Sequence, residues 1–350
     1  LFPYTTLFRS VEDNGTEPGY NSSYWNSAKG MFSKLVGLKK SQIDAVDAVS
    51  FATVSSTAIK EAVKSVLPDE AAQNDTAVFA SGTGTAEDPY IIQTVDQLQA
   101  FAKAVDEGES YEDKTVALGA DLDLSSIANW NPIGAESGNT ANLFNGTFDG
   151  QEHTISGMKI NGIYTDANYA DANVGLFSTL GGNAVVRNLT VSDFNITASA
   201  NVRIRSGAVA GDTAAGSPVV DSVNVSGGIA STANKVMGMA GGILGRMSRG
   251  AGLYNSVADV SVSSAAQGDE GFWGYAGGLA GMTGNNCVIA NSTAHGTVSG
   301  TAYQGGAVGM IAGTINNVYT DVILSGSAAK SGAIAGQTMA NGDCVYFTGT

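Results

Sequence analysis

Histidine, cysteine and basic residues are scarce in this sequence, which has two, two and 17 of them in 350 residues. His153 and His295 stand alone, outside any His-Glu-x-x-His arrangement, so the helical zinc site that pairs two imidazoles on one face is excluded. The bases face 32 acids, a net charge of −15. Nucleic acid is therefore not an expected partner, because phosphate binding needs a basic stripe. From position 81 onward ten bases stand against 23 acids, which puts −13 of the charge there. No apolar run is long enough for a membrane-spanning helix. Glycine-rich stretches lack the Gly-Lys-Ser/Thr that a phosphate loop requires, and no nucleophile has a base partner that can be named. No cofactor and no resident metal are implied, and catalysis is not expected.

Glycine, by contrast, is abundant, at 46 residues. The unit Gly277-Gly278-Leu279-Ala280-Gly281 recurs as Val174-Gly175-Leu176-Phe177-Ser178, Gly207-Ala208-Val209-Ala210-Gly211, Gly241-Gly242-Ile243-Leu244-Gly245, Gly305-Gly306-Ala307-Val308-Gly309 and Gly332-Ala333-Ile334-Ala335-Gly336. The last residues of successive units are 33, 34, 36, 28 and 27 positions apart, the period of a stacked solenoid. A helical solenoid is excluded, since each such glycine would cost about 1 kcal/mol in a helix interior. Glycine instead suits tight corners and close backbone approach.

Ten residues after four of these anchors stand Asn188, Asp221, Asn255 and Asn291, and eight after Gly309 stands Asn317. Alternating apolar residues follow each, as in Asn188-Leu189-Thr190-Val191, which is a strand signature. Parallel strands stacked about 4.8 Å apart would align these five residues in one structural ladder. Cys287 and Cys344, about two coils or 10 Å apart on that spacing, lie beyond disulfide reach and are expected as free thiols.

In chain order, residues 1–10 are similar to a translated sequencing adapter and are set aside from fold reasoning. Residues 11–70 carry a helical apolar pattern, clearest at Ile59, Ala62, Val63 and Val66, and predict two or three short helices. Six lysines stand among nine acids in positions 11–80, which reads as a solvated helix face rather than a nucleic-acid surface. Residues 71–85 read as a linker and 86–350 as the solenoid. Within it, Thr94-Val95-Asp96-Gln97 is a capping-box pattern opening a helix over 95–107, with Leu98, Phe101, Ala102 and Val105 on one face to lid the first coil. The chain stops soon after its last glycine unit, and it is expected to be a fragment at both ends.

The run from Pro89 through Phe144-Asn145-Gly146-Thr147-Phe148-Asp149-Gly150 to Ile155, with the glycine units after it, resembles bacterial surface proteins that carry GLUG motifs on a right-handed parallel β-helix. The resemblance covers about three quarters of the chain. It implies an all-β solenoid and a secreted or cell-surface setting. It implies a stalk or adhesive segment, or alternatively the non-catalytic part of a larger exoenzyme such as an immunoglobulin-cleaving metallopeptidase. A polysaccharide-active β-helix is a further alternative, but Ala294-His295-Gly296 and Arg203-Ile204-Arg205 stand in the wrong order for the pectin-cleaving pattern. Asp121, Asp123 and Asp149 could cluster around calcium, without a second signal.

The loops before each glycine unit are the expected binding strip, because insertions in a solenoid fall on one side. They bring Tyr164 and Tyr169, Arg203 and Arg205, and then Phe272, Trp273, Tyr275 and Tyr303. Aromatic residues there suit a host or cell-wall glycan or a surface protein.

Overall fold

The computed structural model describes residues 78–134, 142–164, 171–267, 273–339 and 347–348, with parts of 27–66. The chain forms two compact units, Leu1–Thr76 and Ala77–Thr350. In the first, the helices Phe32–Leu35 and Thr53–Val66 bury Leu35, Ile59 and Val63 with Ala28 and Ile43. Ala62, expected on the same apolar face, is exposed. The adapter-like residues 1–10 lie outside the described residues.

Among the described residues the second unit is a parallel β-solenoid of three sheets, one of 13 strands and two of six. One coil shows the plan. Trp273–Gly277 runs along a first face, the glycine unit turns it into Ala280–Thr283 on a second, and Cys287–Gly300 forms the long third face. Each face pairs in parallel with the same face of the next coil, as Met239 with Tyr275, Ala280 with Val308 and Val298 with Leu324. Alternate residues of the long strands point inward, with the phase shifting where the backbone bends at Asn188 and Asp193: Val186, Leu189, Val191, Phe194, Ile196 and Ala198 are all buried in one continuous core.

The glycine corners are themselves stacked. Ile243 N–H donates to Leu279 O at 3.0 Å, Leu279 N–H to Ala307 O at 2.9 Å and Ala307 N–H to Ile334 O at 2.9 Å. The corner backbone therefore continues the ladder that a turn would normally interrupt, and Leu176, Val209, Ile243 and Leu279 fill the core beneath it.

A further bend lies along the long face of these coils. Asn188, Asn255, Asn291 and Asn317 all adopt left-handed backbone, with φ of 51°, 50°, 52° and 50°. Asparagine tolerates that conformation where most residues do not. Asn291 Nδ2 donates to Asn255 Oδ1 at 3.3 Å and Asn317 Nδ2 to Asn291 Oδ1 at 2.9 Å, so the side chains pair from coil to coil.

Asp221 does not occupy the expected place in this column. It pairs in register with Arg187 and Tyr254, and Ser222, at φ 55°, is the bent residue. The physical reason is one extra residue in the preceding turn: Thr213 pairs with Leu180, yet Val219 rather than residue 218 pairs with Val185. Asp221 still accepts from Asn255 Nδ2 at 2.7 Å, which carries the chain of side-chain bonds past the slip.

At the N-terminal end the helix Val95–Asp106 is the crossover between the parallel strands Tyr90–Ile92 and Thr115–Leu118. It stands where later coils have their first two faces. Leu98, Phe101, Ala102 and Val105 are buried, and the Phe101 ring meets Phe144 and Phe148 at centroid distances of 5.6 and 6.0 Å. Part of the stretch read as a linker belongs here too. Phe79 stacks on Tyr90 at 4.4 Å, Ala80 N–H donates to Ile91 O and Thr115 N–H to Gly84 O, because Val78 and Phe79 are apolar enough to join the core.

The helix is capped reciprocally: Thr94 Oγ1 accepts from Gln97 N–H at 3.2 Å, and Gln97 Oε1 accepts from Gln93 N–H at 2.8 Å. Thr94→Ala is expected to cost about 1 kcal/mol, read as a lower urea midpoint. An unchanged midpoint would mean that packing alone holds the helix in place.

Candidate binding seam and recess

Two columns of side chains flank the glycine corners. Two residues before the first glycine of each unit stand Asn173, Arg205, Met239, Tyr275, Tyr303 and Lys330, in register along the first face. One residue after each unit stand Thr179, Asp212, Arg246, Met282, Met310 and Gln337 on the second face. The corner is tight enough for the columns to meet: Asn173 Nδ2 donates to Thr179 Oγ1 at 2.9 Å, Arg205 Nη1 lies 3.2 Å from Asp212, and Lys330 Nζ donates to Gln337 Oε1. The result is a seam running along the six glycine-marked coils, ionic at one end and aromatic at the other.

The ionic end is largely buried. Arg205, with its side chain only 2% exposed, also donates to Asp171 at 3.0 Å and Asn173 at 2.9 Å. Asp171 holds Arg203 as well, and Asp212 holds Arg246 through two hydrogen bonds. Burial pulls the Arg205 pKa below its ordinary value against the opposing influence of Asp212. The guanidinium nonetheless stays charged, as guanidinium does throughout proteins. Its Nε is buried without a partner.

At the aromatic end, Tyr275 and Tyr303 stack with ring centroids 5.2 Å apart and planes within 8°. Trp273 lies 6.4 Å from Tyr275 and is 43% exposed. These rings border a cavity of about 220 Å³ whose other wall is Met310, Gln337, Thr338 and Met339. Burial pushes the Tyr275 phenol well above its ordinary pKa, so it remains a neutral hydroxyl.

The structure relocates several residues that the sequence places in loops. Trp273 and Tyr275 belong to the strand Trp273–Gly277 and Tyr303 to Tyr303–Gly305, and Tyr275 is buried rather than exposed. The reason is pairing between coils: the polar, glycine-rich run before Trp273 looks like a loop, but residues 273–277 pair in parallel with Met237–Gly241. Arg203 and Arg205 are likewise strand residues. Tyr164 ends the long-face strand Lys159–Tyr164, paired with Ala200, and is not brought to the recess through the first-face strands. Tyr169 and Phe272 lie outside the described residues. Met310, Gln337 and Lys330 were missed, although their fixed offset from each glycine unit was available as a signal.

Elsewhere the carboxylates weighed as calcium ligands have separate partners. Asp121 accepts from Thr154 N–H, which with the nearby His153 holds its carboxyl below the usual range. Asp123 accepts from Ser125 N–H, and Asp149 pairs with Arg187 and Asn188. Among the described residues no group of three or more His, Cys, Asp or Glu is placed to hold a metal ion.

Cys287 is buried, its Sγ 2.9 Å from Ser248 O, and burial raises its thiol pKa. Cys344 lies outside the described residues. Thiolate is the reactive form, so iodoacetamide at pH 8 should alkylate Cys287 at least about tenfold more slowly in the folded chain than in urea, by peptide mapping. Equal rates would contradict its burial.

The architecture is that of a repeat-built parallel β-solenoid with a side-chain seam along its glycine corners. No family model matches the chain. Over 130 residues it is 37% identical to a protein named as a Gly-rich membrane protein in Evansella cellulosilytica, covering 36% of this chain and 13% of that protein. Over 160 residues it is 34% identical to the halomucin of Haloquadratum walsbyi, covering 43% of this chain and 2% of that protein. The chain thus spans a small part of the length of either relative. Among solved structures it is similar to a Bacteroides ovatus protein named as an immunoglobulin A1 protease, at 19% identity over 75% of this chain and 87% of that one, with a TM-score of 0.42. It is also similar to an IgA1 protease, at 14% identity over 73% of this chain and 21% of that one, with a TM-score of 0.33. Among the described residues no helix is long and apolar enough to cross a membrane.

Proposed function

We propose that this chain is a non-catalytic β-solenoid segment of a secreted or cell-surface bacterial protein, acting as a stalk or an adhesive surface. The observation that carries this reading is the unbroken parallel pairing of the long face, from Tyr90–Ile92 through Gly313–Leu324. Such pairing makes an elongated body in which each coil contacts its neighbours, so length is added without changing the fold. The names of the relatives, one a membrane protein and one a halomucin, support an exterior location. A glycan or another surface protein is the partner this setting favours.

The test has two arms. Antibody to the chain should label intact, unpermeabilised cells or appear in the culture medium, and the purified 350-residue chain should leave immunoglobulin A and polysaccharides uncut. Intracellular confinement would overturn the location. Hydrolysis by the chain itself would overturn the non-catalytic role, and hydrolysis by the parent protein alone would make the solenoid the structural part of an exoenzyme.

A further inference from the structure

The recess at the aromatic end of the seam has features that holding the coils together does not call for. A seam built only for packing would be filled, as it is at Arg205 and Met239, each at most 2% exposed. Here about 220 Å³ is left open between coils. That is smaller than the roughly 300–1,000 Å³ of pockets for drug-sized ligands, and it suits a single ring rather than a helix or a chain of rings.

The chemistry of the walls narrows the occupant. Tyr303 is stacked on Tyr275 and lies beneath the Lys330 amine, 5.6 Å from its centroid, so the tyrosines offer the recess their edges and hydroxyls. Trp273 is the lining ring with substantial free area, at 43% exposure. The recess therefore has an indole for a flat apolar surface to lie against. Facing it are the Thr338 hydroxyl and the Gln337 amide, whose Oε1 accepts from Lys330 and whose Nε2 donates to Thr338 O, leaving one lone pair and one N–H over, beside the thioethers of Met310 and Met339.

Among the described residues no hydrogen bond engages Trp273 Nε1 or the hydroxyls of Tyr275 and Tyr303. An apolar side chain seated here would bury those groups unsatisfied, at about 1–3 kcal/mol each. A ring with one apolar face and peripheral hydroxyls would satisfy them instead. Charge decides between kinds of ring. The lining itself holds no charged side chain, and the one cation beside it, the Lys330 amine, donates to Gln337 Oε1 and lies over the Tyr303 ring rather than in the lining, so the walls favour a neutral ring.

We propose that this recess binds one neutral pyranose ring, its C–H face against Trp273 and its hydroxyls toward Gln337, Thr338 and the tyrosine hydroxyls. The site stands whether the solenoid is a stalk or a part of an exoenzyme, since it needs only two adjacent coils and the next strand.

The full chain would be titrated by calorimetry with gluco-, manno-, galacto- and N-acetylglucosamine hexasaccharides, with hexagalacturonate as the charged control. At least one neutral series is expected to saturate, and hexagalacturonate to bind at least tenfold more weakly. Trp273→Ala should weaken the neutral sugar tenfold or more, Trp273→Phe less, and Gln337→Ala several-fold, with melting temperature unchanged. Should Trp273→Ala not fold, the Gln337→Ala titration decides. Failure of every neutral series to saturate, equal binding of hexagalacturonate, or full binding retained by a folded Trp273→Ala or by Gln337→Ala would each overturn the proposal.

Discussion

Gly277→Ala is expected to destabilise the solenoid by about 3 kcal/mol or more, although it adds one methyl group. A Cβ at Gly277 would lie 2.1 Å from Ala280 O, 2.7 Å from Ala307 O and 2.7 Å from the Val308 Cα. All three neighbours are backbone, one across its own corner and two in the next coil. None can rotate away as a side chain would, so relief requires the corner to open or two coils to part. Parting them would strain the hydrogen bonds from Leu279 and Ala280 N–H to Ala307 O.

Gly228→Ala is the control. It lies on the long face, within the strand Val219–Ala233, and a Cβ there meets nothing within 4 Å. The same methyl should be neutral or stabilise by about 0.5 kcal/mol, because glycine in a strand interior loses more freedom on folding. Urea midpoints of the two variants measure the contrast. Equal effects would show that glycine serves the corner only through chain flexibility, and not through contact.

The parallel solenoid was legible because its two signals are periodic and have simple physical causes. Glycine recurs where backbone meets backbone, and asparagine recurs where a strand must bend through left-handed φ. Counting fails where one residue is inserted between them, as at Ala214–Pro218 before Asp221, since distance along the chain is then no longer position around the coil. The capping helix was legible from Thr94 and Gln97: Thr94 makes the bond its spacing suggests, and Gln97 reaches back one residue further, to Gln93 N–H instead of Thr94 N–H.

The seam was less legible. Trp273 and Tyr275 follow a stretch with loop-like composition, and only pairing with neighbouring coils, 36 positions earlier and for Tyr275 also 28 later, makes them strand. Arg205 is harder still. Nothing nearby in sequence explains a buried guanidinium, because Asp171 and Asn173 come from the coil before and Asp212 from beyond the corner.

That same arrangement makes the partners of the ion pair unequal. Asp212→Ala is expected to cost about 4 kcal/mol, within the range for breaking a buried pair from one side. Arg246, with its side chain 28% exposed, can swing toward water when Asp212 is lost, but Arg205 at 2% cannot. Arg205 would be left with Asn173 and the one carboxylate it shares with Arg203, and with its Nε still unpaired. Arg205→Met should cost only about 1 kcal/mol. Asp171 would keep Arg203 and Asp212 would keep Arg246, while methionine is what the next coil places in the column, at Met239. It follows that the double variant Arg205→Met with Asp212→Ala should be more stable than Asp212→Ala alone, the reverse of additive damage. Urea denaturation of the four proteins closes the cycle, and high salt should move the midpoints little because the pair is shielded from solvent ions. A double variant no more stable than Asp212→Ala would show that the stranded Arg205 is not what makes the loss of Asp212 costly.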